Sequence, residues 1–185
     1  YPCNKMYNVS YLKETKAVFP RMRFNEDIIF NIDFFMNAQS CNLLSFAPYH
    51  YVKRVGSTTG SFIPTYYQDI MVKIDRLYSQ LGYWGMQSEE NLDFLAMRYT
   101  RYLFSALERN CDKRSKMSHK ERKNFFNEVL KTERYKNLSN HMKGNGYIGI
   151  LAKVLRTKSS FLCLGTGRMI YIVKRYLPKL FAKLS

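Results

Sequence analysis

The chain contains 185 residues, of which 46% are hydrophobic and 16% are aromatic. This size and composition suffice for one well-packed domain, or for a compact lobe with an appendage, and they exclude an intrinsically disordered tail. The formal net charge is +16. Residues 112–185 carry +14 of that charge, with 18 Lys and Arg against 4 Asp and Glu. Such asymmetry is typical of a surface that meets nucleic acid, anionic lipid or phosphorylated substrates, and equally of a well-solvated helical face.

The four cysteines are widely spaced, and none has the Cys/His spacing of a zinc site. We therefore predict no metal site in this chain, and free thiols in a reducing cytoplasm. No apolar run reaches the roughly 18–20 residues that are needed to cross a bilayer.

Residues 1–64 alternate short apolar runs with Pro, Asn and Gly, which is typical of strands and turns. Between these runs, Glu26–Ala38 is apolar on almost every side and predicts a helix buried between layers. Asn25 is the expected N-cap, which would place Glu26 and Asp27 in the favourable first turn. We predict an α/β first third over residues 1–64.

Residues 65–185 have helical periodicity instead, and we predict a helical C-terminal region. The predicted helices are Tyr66–Leu81, Glu89–Asn110, one that follows a capping box at Ser118–Glu121, Tyr147–Leu155 and Gly167–Ser185. The last of them is amphipathic and basic, with Pro178 as a kink. Its apolar face could lie on an anionic bilayer or pack on the domain itself. The overall expectation is an α+β, mainly α fold.

Three elements in the first 60 residues resemble, in order, motifs of family 2 glycosyltransferases of the GT-A type. Pro2–Tyr7 with Leu12 is similar to a "W-N-K-L-Y-R…L-L" stretch, with Cys3 in place of the frequent Trp. Phe24–Phe30 is similar to "F-x-E-D-x-x-F", and Tyr49–Thr59 to "Y-x-Y-R-x-R/H-x-x-S-I/T-T". The resemblance implies a partial GT-A-like α/β segment over residues 1–64, at the acceptor side of such an enzyme.

By this resemblance Asp27 is the general base of an inverting transfer, and Glu26 orients the site or contacts the acceptor. Taken alone, the two carboxylates would need no role beyond stabilising the start of a helix. The resemblance also implies a group of substrate contacts, led by Arg54 on a phosphate or on the acceptor. The group comprises Asn4, Lys5, His50, Tyr51, Arg54 and Ser57. Arg54 could instead be a solvent-facing strand charge, and a structural or acceptor-facing role suits His50 better than a ligand role.

No Asp-x-Asp motif occurs in these residues, so the resemblance places the nucleotide-binding half outside them. It implies that an intact parent protein transfers a sugar from a nucleotide sugar to a glycan or lipid-linked acceptor, in building a surface polysaccharide or a similar glycan. The parent would use a divalent cation, Mn or Mg, and this chain alone would hold no cofactor and be inactive. The expected location is the cytoplasm or the cytoplasmic face of the membrane.

A different class of function competes with this one, namely a non-catalytic basic module that docks on anionic membrane or nucleic acid. Nucleic acid is the weaker expectation, because the basic cluster at residues 113–123 lacks interleaved aromatics and any helix-turn-helix or zinc signature. Peripheral membrane contact is expected through residues 167–185. An apolar seam left by the missing half could produce a homodimer.

Overall fold

A computed structural model describes residues 2–46, 49–50, 52 and 62–177. These residues form eight α-helices: α1 (Val9–Thr15), α2 (Glu26–Phe35), α3 (Tyr66–Tyr83), α4 (Glu89–Arg109), α5 (His119–Lys131), α6 (Glu133–Ser139), α7 (Gly146–Arg156) and α8 (Ser160–Tyr176). Two short 3-10 turns, Pro2–Asn4 and Lys113–Ser115, accompany them. Contacts within the chain group it into two compact units, Tyr1–Gly85 and Met86–Ser185, called the N-terminal and C-terminal units below.

The prediction of an α+β fold with a GT-A-like α/β segment is wrong, because the described residues contain helices and no strand. The apolar run at the start of the chain forms a 3-10 turn and leads into α1. The described part of the run at Asn42–Phe46 is irregular, and Leu43 is almost fully exposed there. A strand needs a neighbour to pair its backbone N–H and C=O groups, and the described segments offer none.

In the N-terminal unit, α2 packs against α3 and buries its apolar side chains. An aromatic cluster covers the other side of α2. Tyr7 and Tyr11 meet Phe34 edge to face, and Phe19 stacks on Phe30 with ring centroids 4.2 Å apart. These residues fold around α2 because aromatic rings bury large apolar areas in offset and edge-on arrangements.

In the C-terminal unit, α4 is the central helix and packs on α6, α7 and α8. The predicted capping box before α5 is confirmed, since Ser118 and Glu121 satisfy each other's backbone N–H groups. The predicted terminal helix begins earlier than expected, at Ser160, and residues 178–185, which include Pro178, lie outside the described part of the chain. None of the helices in the described ranges is long and apolar enough to span a bilayer.

Candidate functional site

The first turn of α2 carries the two predicted catalytic carboxylates. The helix begins at Glu26, as the sequence predicts, with Glu26 and Asp27 where negative charge is favoured by the helix dipole. Asn25 occupies the N-cap position in the left-handed conformation, with φ of 68°, and makes no side-chain capping bond. The start of α2 is therefore fixed by something other than an ordinary side-chain cap.

Asp27 is half-buried and has its two carboxylate oxygens in different situations. One oxygen, Oδ1, accepts a hydrogen bond from the backbone N–H of Ile28 at 2.8 Å. The other oxygen has no hydrogen-bond partner among the residues that the structure describes. A carboxylate held through one oxygen keeps the other available to accept a proton from a bound hydroxyl.

A chain of hydrogen bonds ties the first turn of α2 to the element that contains Asn4 and Lys5. The Tyr7 hydroxyl donates to Asn31 Oδ1 at 2.8 Å, and Asn31 Nδ2 donates to the backbone carbonyl of Asp27 at 2.6 Å. Burial raises the pKa of Tyr7, and the nearby charges of Cys3 and Asp27 raise it further. The phenol therefore remains a hydrogen-bond donor at neutral pH, and it positions the backbone that carries Asp27.

A buried polar contact holds the residue that precedes the first turn of α2. Lys73 on α3 is only 3% exposed, and its ammonium donates to Asn25 Oδ1 at 3.2 Å. Asn25 is itself 5% exposed, and its Nδ2 has no hydrogen-bond partner among the described residues. This contact couples α3 to the residue immediately before Glu26, since a buried ammonium is stable only with acceptors around it.

The other predicted site residues fall into two groups. Asn4 ends the 3-10 turn that packs on α2, and the exposed Lys5 ammonium donates to Asn4 Oδ1 at 2.8 Å. His50 is exposed. The remaining substrate contacts lie outside the described residues, and they are Tyr51, Arg54 and Ser57. The structure thus brings the element of Asn4 and Lys5 to α2, while a meeting of Asp27 with the third element stays a prediction.

Sequence reasoning assigned no role to Asn31 or Lys73. Asn31 follows Asp27 by four positions in a predicted helix, and this spacing alone could have placed its amide over the first turn. Lys73 is 48 residues from Asn25, and no local pattern links the two.

The C-terminal unit has a separate charged cluster, with Glu89 and Asp93 on α4 and His141 after α6. His141 Nδ1 lies 3.0 Å from Asp93 Oδ1 and 3.5 Å from Glu89 Oε2, and the Lys143 ammonium is 3.3 Å from Asp93 Oδ2. The hydrogen bond from His141 is the largest cause that lowers the pKa of Asp93, and Lys143 lowers it further. The described contacts of this cluster are ion pairs and hydrogen bonds, although Glu89, Asp93 and His141 also place three metal-ligand atoms within 4.8 Å of one another.

A cavity of about 280 Å³ lies between α4, α7 and α8 in the same unit. Glu108 and Lys174 meet in it at 3.2 Å, and Tyr147 and Arg101 also contribute to its lining. Burial raises the pKa of Tyr147. Glu108 is ion-paired with Lys174, and the raised pKa of Tyr147 keeps its phenol a hydrogen-bond donor at neutral pH.

Comparison with protein-family models, with curated proteins and with solved structures found no match to this chain.

Proposed function

We propose that this chain is the acceptor-side part of a family 2 glycosyltransferase whose intact form transfers a sugar from a nucleotide sugar, with inversion, to a glycan or lipid-linked acceptor. One observation carries the proposal. Asp27 lies in the first turn of a packed helix, with one carboxylate oxygen bound to backbone and the other without a partner among the described residues.

Inverting glycosyl transfer requires a group that accepts a proton from the acceptor hydroxyl. An acceptor hydroxyl has a high pKa, and it must lose its proton as it attacks the anomeric carbon. A positioned carboxylate that accepts this proton contributes about 100- to 10,000-fold to the rate. A fixed position matters as much as basicity, because misplacement of the base by about 1 Å can cost about 100-fold.

The contacts of Tyr7 support the same assignment. Tyr7 belongs to the first element of the family resemblance and Asp27 to the second, and the two elements meet through Asn31. Tyr7 also packs its ring against Phe30, which ends the second element, at a centroid distance of 5.4 Å. Two elements that resemble motifs of one family are thus neighbours in space.

The proposal assigns the remaining roles as the resemblance implies them. Glu26 orients the site or contacts the acceptor, and Arg54 contacts a phosphate or the acceptor. Donor binding and the divalent cation, Mn or Mg, belong to residues outside this chain, because no Asp-x-Asp motif occurs in it.

The test is sugar transfer by the polypeptide that the complete reading frame encodes. Labelled uridine and guanosine diphosphate sugars are offered with manganese, and incorporation into lipid-linked and glycan acceptors is measured. Asp27→Asn is expected to lower the transfer rate by about 100- to 10,000-fold, because the amide cannot take the proton. Its circular dichroism should be unchanged, since the amide oxygen can still accept from the Ile28 N–H.

Asp33→Asn is the matched control on the same helix. Asp33 pairs with Arg76 at 3.4 Å on the partly exposed side of α2, so its loss should leave transfer almost unchanged. Equal losses in both variants, or full activity of Asp27→Asn, would contradict the proposal. Calorimetric titration of the 185-residue chain with the same donors should show no binding, and tight binding would overturn the assignment of the donor site to other residues.

A further inference from the structure

α8 has two apolar faces, and only one of them is buried. Cys163, Gly167 and Ile170 are buried on the first face, where α8 packs on α4, α5 and α7. Large exposed side chains form the second face, called the exposed row below: Phe161, Leu162, Met169, Ile172 and Tyr176. At about 100° per residue, the exposed row covers an arc of about 100° on the side opposite the buried residues.

The exposed row gathers five large apolar side chains on one side of a single helix. Phe161 is 83% exposed and Met169 is 59% exposed. Single apolar residues are common on protein surfaces, but an apolar strip along one helix, interrupted here at Gly165, is typical of a surface that meets another apolar phase.

Two arginines border one edge of the exposed row. The same helical geometry places Arg168 and Arg175 on the Phe161 side of the row, within about 40° of Phe161 around the helix axis and about 10 and 21 Å further along it. The Arg175 guanidinium lies between two tyrosines, donating to the Tyr171 hydroxyl at 2.7 Å and lying 5.9 Å from the centre of the Tyr176 ring, which belongs to the row. The C-terminal unit as a whole has 21 Lys and Arg against 8 Asp and Glu, a net charge of +13.

We propose that the exposed row of α8 docks on an anionic lipid bilayer, with the helix parallel to the membrane surface. The apolar side chains would enter the boundary between headgroups and acyl chains, while Arg168 and Arg175 contact the anionic headgroups. Charge complementarity selects this occupant: an uncharged protein partner would leave the two arginines and the excess positive charge without a role. Nucleic acid would engage the arginines but not the apolar strip.

The docking proposal is independent of glycosyl transfer, because it rests on α8 alone and vesicle binding needs no sugar. The experiment is flotation of the 185-residue chain with vesicles of phosphatidylcholine, with and without 30% phosphatidylglycerol. We expect binding to the anionic vesicles, little binding to the neutral ones, and weaker binding as salt rises from low to high concentration.

Variants of the exposed row test the apolar contribution. Phe161→Ser and Ile172→Ser should each weaken partitioning by roughly tenfold, because each removes a large side chain from the acyl boundary. Phe94→Ser is the matched control, since Phe94 is an exposed aromatic residue on α4 and lies outside the row. It should bind as the unaltered chain does.

Charge variants test the headgroup contact separately. Arg168→Gln and Arg175→Gln should each weaken binding by roughly fivefold. Lys131→Gln combined with Lys136→Gln removes two positive charges elsewhere in the unit, and each of these lysines already pairs with a glutamate three residues before it. This control should bind more tightly than the double variant Arg168→Gln/Arg175→Gln, although the net charges of the two double variants are equal.

Tyr176→Trp gives a second measurement, which is independent of whether the serine variants fold. Its fluorescence should be quenched by brominated lipid, in excess of any quenching of Trp84, the single native tryptophan. The proposal is overturned by equal binding to neutral vesicles, by serine variants that bind normally, by the absence of such quenching, or by binding of nucleic acid with no vesicle binding.

Discussion

The two units of this protein differ in how most of their described helices begin. In the C-terminal unit, α4, α5, α6 and α8 each start after a Ser or Thr whose side chain accepts a hydrogen bond from the backbone N–H three residues later, and α7 is the exception. In the N-terminal unit, the short helix α1 is capped in the same way by Asn8, but neither of the longer helices α2 and α3 has such a side-chain bond. The start of α2 depends on Asn25, which meets Lys73 from another helix.

This difference shows which helix starts are determined by neighbouring residues in the sequence and which depend on the packing of two helices. A Ser or Thr cap depends only on residues within one turn of the helix, so the local sequence is enough to specify it. The Asn25–Lys73 contact exists only after α2 and α3 have packed. Proteins tend to break local rules at functional sites, where other interactions supply the stability. The start of α2, where the N-cap residue has the left-handed conformation, is also the one that carries Asp27, in agreement with the proposed role of that turn.

The largest expected loss of stability comes from removing the side chain of Asn25, which contacts Lys73 on another helix. Asn25→Ala should lower the free energy of unfolding by about 3 kcal/mol, because alanine is strained in the left-handed conformation and a buried ammonium loses an acceptor. Ser118→Ala, which removes a local cap, should cost only about 1 kcal/mol. Urea denaturation measures both, with Trp84 fluorescence and circular dichroism as the probes.

Asn25→Gly separates the two causes in the first variant. Glycine accepts the left-handed conformation without strain, so this variant should lose only the contact with Lys73 and be less destabilised than Asn25→Ala. If Ser118→Ala cost as much as Asn25→Ala, the contrast between the two units would be wrong.

The second prediction tests a non-local requirement inside the C-terminal unit. A Cβ atom at Gly167 would lie 2.8 Å from Leu107 Cβ and 3.2 Å from the Leu107 backbone carbon, so α8 and α4 would have to separate. Gly167→Ala should therefore cost about 2 kcal/mol. Gly165, in the centre of the exposed row, has nothing within 4 Å of that position.

Gly165→Ala is the matched control in the same helix. It should stabilise the protein by about 0.5–1 kcal/mol, because glycine is a poor residue for a helix interior. Thermal unfolding followed by circular dichroism gives both values. Destabilisation by Gly165→Ala would show that its position is occupied in a way that the structure does not reveal.

The sequence was sufficient to predict a helix or a cap wherever the pattern involves residues that are close together in the chain. Helical periodicity located α3 and α4, and the Ser118–Glu121 spacing located the capping box of α5. The same kind of signal placed Glu26 and Asp27 in the first turn of α2.

Non-local features could not be obtained in this way. Short apolar runs were interpreted as strands, but a strand forms only where a second strand can pair with it, and a one-dimensional pattern does not show the partner. For the same reason the sequence predicts an ordinary N-cap at Asn25, whereas the Asn25 side chain accepts a hydrogen bond from Lys73, 48 residues away. In the candidate site, the position of Asp27 was predictable, but the contact that fixes the residue before it was not.

The smallest expected effect concerns a purely local pair in the C-terminal unit. Asp112 accepts hydrogen bonds from the Arg114 side chain at 2.9 and 2.8 Å, and from the Arg114 backbone N–H at 2.9 Å. The side-chain bonds are the largest cause that lowers the pKa of Asp112 from 3.8 to about 2. Because the folded pKa lies below the unfolded one, the pair stabilises the fold at neutral pH, and this contribution is lost as the pH falls from about 4 through about 2.

Asp112→Asn should therefore be slightly less stable than the unaltered chain at pH 7, and the difference should shrink as the pH falls toward 2. The effect is small because water screens the exposed guanidinium. NMR titration of the Asp112 carboxyl gives the decisive number, with a midpoint near 2 expected. A midpoint close to 3.8 would mean that the pair does not persist in solution. In that case local hydrogen bonds would contribute less to the structure of this unit than its capped helices suggest.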